Sequence, residues 1–131
     1  MPHPSRTLTV TIDRSPDLVY EFAHNPENLP RWSFIQSVTQ DADAWIAQTP
    51  DGPVTMRFAE RNPFGVLDHV VTVSPGVEVY VPMRVIANGD GSEVLFTLFR
   101  LPGMTEEQFE RDARTVGEDL RRLKAVVEGM A

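Results

Sequence analysis

Residues 7 to 12, TLTVTI, alternate strictly, with Leu8, Val10 and Ile12 on one face and three threonines on the other. Side chains of an extended chain point to opposite faces in turn, so this run predicts a half-buried first strand. The period then changes. Ser15 offers a hydroxyl N-cap, Pro16 suits the first helical position and Asp17 favours the positive end of a helix. These signals predict a short helix to about His24 with Val19, Phe22 and Ala23 on its apolar face. Asn25 and Pro26 repeat the cap-then-proline signal, predicting a second short turn through Glu27 and Asn28 that stops at Pro30 and delivers Trp32.

Six further strands are predicted over 34 to 40, 43 to 49, 53 to 61, 65 to 74, 77 to 87 and 92 to 101, at spacings that fit an antiparallel meander. Asp51-Gly52, Ser74-Pro75-Gly76 and Asn88-Gly89-Asp90-Gly91 supply the turn chemistry between them. The last element is a helix over 105 to 128. Thr105 and Gln108 make a capping-box pattern, and Phe109, Ala113, Val116, Leu120, Leu123 and Val127 follow at steps of four and three, so one stripe faces a core. Glu107 with Arg111, Glu110 with Arg114 and Glu118 with Arg122 place an acid four residues before a base on the opposite face. Gly117 interrupts this helix; it reads either as close backbone packing on the sheet or as a gap left for a ligand.

Composition narrows the chemistry. The 131 residues fall within the size of one domain, residues 1 to 131, and contain no cysteine, which excludes disulfides, thiolate metal sites and cysteine nucleophiles. A net charge of -7 gives nucleic-acid binding no electrostatic support. No run approaches the roughly 18 apolar residues of a membrane span, and the start MPHPSR has no apolar signal core, so a cytoplasmic location is the expectation. The three histidines show no metal-ligand spacing, and no phosphate loop or nucleophile elbow is present, so no metal and no cofactor are expected.

The order of these elements is that of the helix-grip fold, and local motifs join the order. TIDRSPDLVYEFAHNPENLPRW over 11 to 32 resembles the opening of the START and Bet v 1-like superfamily, also called SRPBCC. NPFGVLDHVVTV over 62 to 73 and PMRVIANGDGSEVLFTLFRLPGMTEEQF over 82 to 109 are similar to a group of small bacterial polyketide cyclase and dehydrase-like members. The resemblance implies an α+β fold in which a seven-stranded curved antiparallel sheet, with two short helices after its first strand, wraps a long C-terminal helix on its concave face. It also implies a space between sheet and helix that is incompletely filled. It does not choose among the superfamily's lipid carriers, hormone receptors, cyclases and chaperone regulators.

Alternation says which side chains face that space. Val77, Val79, Val81, Met83, Val85 and Ala87 share one face; Val54, Met56, Phe58 and Glu60 share another, and Leu67, His69, Val71 and Val73 a third. Phe22, Trp32, Trp45, Met56, Phe58, Val81, Met83, Phe96, Phe109, Val116 and Leu120 are therefore the expected lining. Glu60 and His69 are the polar exceptions, and on neighbouring strands they would form an acid/base pair. Three functions follow: a module binding a small hydrophobic or aromatic molecule, a cyclase or dehydratase-like enzyme using His69 with Glu60, or a protein-interaction domain. A homodimer is a further hypothesis, resting on how commonly soluble proteins pair about a two-fold axis.

Overall fold

The computed structural model describes residues 1–130. Its elements run β1 (Ser5–Ile12), α1 (Pro16–His24), a 3-10 turn (Pro26–Asn28), α2 (Leu29–Trp32), β2 (Ser37–Asp41), β3 (Ala44–Thr49), β4 (Gly52–Phe58), β5 (His69–Ser74), β6 (Val77–Val81), β7 (Met83–Asn88), β8 (Gly91–Phe99) and α3 (Glu106–Glu128). All ladders are antiparallel, in the orders β1-β8-β7 and β2-β3-β4-β5-β6. The helix-grip arrangement is as the resemblance implies, with eight strands among the described residues in place of seven.

The extra strand comes from Pro82. The expected strand 77 to 87 is one extended run by side-chain pattern, but proline has no N–H to donate, so the ladder breaks there. Before it, β6 pairs with β5; after it, β7 pairs with β8. Alternation survives the break, leaving Val81, Met83 and Val85 buried on one face. Asp68 clasps the junction from the outer face: its carboxylate accepts from the Tyr80 hydroxyl (2.8 Å), the Met83 N–H (2.9 Å) and the Arg84 guanidinium (2.8 Å). Burial alone would raise the Asp68 pKa, but these donors outweigh it and hold the carboxyl below its usual range.

Two expected strands are shorter than their patterns. The 53 to 61 strand ends at Phe58 and the 65 to 74 strand starts at His69, because the intervening chain is a loop built on Asn62. The Asn62 side chain accepts from the N–H groups of Phe64 (3.0 Å) and Val66 (3.1 Å) and donates to the carbonyls of Glu60 (2.9 Å) and Val66 (3.0 Å). Past this turn, Leu67 donates to the Met83 carbonyl (2.8 Å) and Val85 to the Gly65 carbonyl (2.9 Å), joining the two ladders. Gly65 has φ of 70°, and a Cβ there would run into the Val85 carbonyl oxygen, so the crossing admits only glycine.

Helix α3 begins with both hydrogen bonds of the Thr105–Gln108 capping box. Phe109, Ala113, Val116, Leu120, Leu123 and Val127 are all buried, and the helix packs chiefly along β1 and against α2. The three expected acid-before-base pairs do not form among the described residues. Glu110 instead reaches Arg6 on β1 (2.7 Å), Arg122 donates to the Ser33 carbonyl (3.0 Å), and the helix's own ion pair is Lys124 with Glu128 (2.7 Å). Tertiary partners displaced local ones. Gly117 does lie against the sheet, but the packing does not demand glycine: a Cβ there would meet Leu8 Cδ2 at 3.6 Å and Arg121 Nη1 at 3.5 Å, ordinary contact distances, and the reading as a gap for a ligand gives way because the position lies outside the cavity wall.

Candidate functional site

Because α3 lies along β1, the β4–β6 side of the sheet stands off from it. The gap is a cavity of about 450 Å³. Its floor is Val54, Met56 and Phe58 from β4, His69 and Val71 from β5, and Val79 and Val81 from β6. Met83, Phe96 and Leu98 close one side, Ala23, Leu29 and Trp32 another, and Thr115, Val116 and Asp119 of α3 form the roof. Phe34, Asp51, Arg111 and Asp112 also belong to the wall and are solvent-exposed, so they mark the mouth. The volume lies within the roughly 300 to 1,000 Å³ of small-molecule sites, and the walls are mainly apolar.

His69 points into this space, as its strand pattern predicts. The ring is 9% exposed, 5.6 Å from Phe58 and 5.9 Å from Phe96 by ring centroids. Its partner is main chain: Nδ1 lies 3.1 Å from the Leu67 carbonyl. Burial pushes its pKa down, against the raising pull of that carbonyl and of Asp68, so the imidazole is neutral at neutral pH. Glu60 does not join it. Phe58 pairs with His69, so an extended ladder would set Glu60 opposite Leu67, but Leu67 turns to β7 and leaves Glu60 exposed in the loop.

The buried acid in the wall is Asp119, which pattern reading passed over. It is 7% exposed; burial pushes its carboxyl up to about 7, against the lowering pull of the Phe34 backbone N–H and the Arg122 guanidinium, while Glu118 adds to the rise. A signal was present in the sequence: Asp119 follows Val116 by three and precedes Leu123 by four, which is a stripe position. At the mouth, burial also raises the pKa of Asp112, with Arg111 opposing and Asp51 adding. The Trp32 indole Nε1 is buried without a hydrogen-bond partner.

Of the expected lining, Trp32, Met56, Phe58, Val81, Met83, Phe96 and Val116 meet around the cavity. Phe22, Phe109 and Leu120 are buried elsewhere in the core, and half-buried Trp45, opposite Met56 on the next strand, does not reach the wall. Among the described residues no three His, Cys, Asp or Glu side chains gather as a metal site, and no helix is long and apolar enough to cross a membrane. A second, outer groove of about 680 Å³ lies between α1 and the Asn62 loop, beside Phe64, which is 78% exposed.

Comparison with known proteins agrees with the fold. The structure of XoxI from Bacillus cereus superposes with a TM-score of 0.81 at 18% identity, over 95% of this chain and 96% of that one. Ara h 8.0201 gives 0.73 at 14%, over 95% and 97%. The Aha1 dimer from Colwellia psychrerythraea gives 0.78 at 13%, over 96% and 97%. None of the curated proteins compared matches the chain. The family model described as polyketide cyclase / dehydrase and lipid transport matches residues 3–128, and with the helix-grip order and the space under α3 this places the chain in that family, within the SRPBCC superfamily.

Proposed function

We propose that the protein binds a small hydrophobic or aromatic molecule in the cavity between α3 and β4–β6. The observation that carries this reading is the cavity itself, about 450 Å³ walled by Met56, Phe58, Val71, Met83 and Phe96. Moving apolar surface out of water contributes about 25 cal/mol per Å², so burial rather than ionic contact supplies most of the affinity. The chain has two tryptophans; Trp32 lines the cavity and Trp45 does not, which makes Trp45→Phe a single-reporter protein. Titrating it with naphthalene-sized ligands should change Trp32 emission saturably, and Val71→Phe, which fills the space, should abolish the change. A flat titration with every ligand, and no adduct in native mass spectra, would refute the reading.

A second reading is favoured by His69, a neutral base in the cavity wall: a cyclase or dehydratase-like proton transfer. Glu60 has no part in it. Lost turnover with unchanged binding in His69→Gln would move the assignment from binding to catalysis. A homodimer is proposed on weaker ground, that the Colwellia relative is a dimer.

A further inference from the structure

The charges around the cavity are unequal. Asp119 stands in the roof, and Asp51 and Asp112 stand at the mouth, against one guanidinium, Arg111. No lysine lines the wall, and Arg122, the neighbouring cation, donates to the Ser33 carbonyl at 3.0 Å and forms no ion pair with Asp119, so its charge and the Phe34 backbone N–H offset the burial of that carboxyl only in part. Among the described residues no ion pair reaches Asp119 and no side chain hydrogen bonds to it, although it is 7% exposed. A carboxyl so placed has a standing cost when ionised, and a cation inside the cavity would remove it. A carboxylate ligand would meet like charge at the mouth and again at the roof.

We propose that the cavity selects an apolar or aromatic amine, its ammonium seated against Asp119 and its hydrocarbon against Met56, Phe58 and Phe96. This rests on the cavity-binding reading and adds the sign of the ligand's charge to it. Amine binding draws the proton from Asp119, so affinity rises as pH climbs through about 7 and falls again only when the ammonium itself titrates, about pH 10 for a lysine-like amine. Other charged and titratable groups near the cavity are Glu118, Arg122, Arg111 and Asp112 on α3, Asp51 on the β3–β4 turn, His69 on β5 and His24 on α1. Replacing Asp119 separates its contribution from theirs.

The test is calorimetric titration at pH 8 with three probes of one shape: naphthylmethylamine, naphthylmethanol and naphthoic acid. The amine should bind tightest and the acid weakest. Asp119→Asn should weaken the amine about tenfold or more, as expected for a lost hydrogen bond to a charged group, and leave the alcohol within about twofold. Asp112→Asn, at the mouth, should produce the same change more weakly, and near-ultraviolet circular dichroism checks that each variant is folded. Alcohol binding as tight as amine binding, or an amine affinity unmoved by Asp119→Asn, overturns the amine proposal and leaves the cavity reading standing. Binding of none of the three overturns both.

Discussion

Two regions beneath α3 contrast. Leu120, Leu123 and Val127 meet Ile12, Val19 and Val94 in a core where none of the six is more than 1% exposed. Val116 and Asp119, a turn or less earlier, face the β4–β6 side across open space. One helix thus closes a dry core and roofs a cavity. Packing density carries the stability of the first region, whereas the second gives up contact and tolerates a buried acid. The lesson is that close packing and open space are separable here along a single element.

The contrast can be broken most directly at Leu120. Leu120→Ala opens a void in a filled region and should lose about 2 to 5 kcal/mol in chemical denaturation, whereas Val71→Ala only widens existing space and should lose about 1 kcal/mol or less. Equal losses would erase the distinction. Asp119 gives the next largest effect, with a sign set by linkage. Its folded pKa is raised to about 7, so its stability contribution is full below the unfolded carboxylate range near 4 and is lost as pH rises through 7. Asp119→Asn should therefore stabilise the protein at pH 8 by something on the order of 3 kcal/mol and change little at pH 4. An equal gain at both pH values would show that charge burial is not the cause. The smallest change sharpens the α3–β1 contact: Gly117→Ala should raise stability by about 0.5 to 1 kcal/mol, since a methyl group fits and the helix gains propensity. A loss would mean that the fit to Leu8 is tighter than 3.6 Å implies.

Much of the fold could be read from period alone, because α3 and β1 have one wet and one dry face. The Thr105–Gln108 box and the Ser15 cap appear as written, since both depend only on neighbours a turn away. Reading failed where a partner distant in sequence decided. Alternation ran on to Glu60 because nothing local says that Leu67 leaves β4 for Met83. The expected α3 pairs were local in the same way, and Arg6 and Ser33 took their members instead. His69 was found because its strand keeps its register. Asp119 was missed because an acid on a charged helix reads as solvated, and only the packing of α3 over the β4–β6 side buries it in the cavity wall.

The pairing of β1 with β8 has a consequence for how the chain is made. Thr7 and Thr97 share a hydroxyl hydrogen bond across 90 positions, and β1 has β8 as its ladder partner. Strand β1 must therefore wait for β8, and α3, which lies on β1, must wait with it. Loop closure over such a span precedes any return in contacts, so the pairing of β1 with β8 is expected late in folding. Nascent chains halted before Gly91 should remain open to proteases, however complete their hairpins.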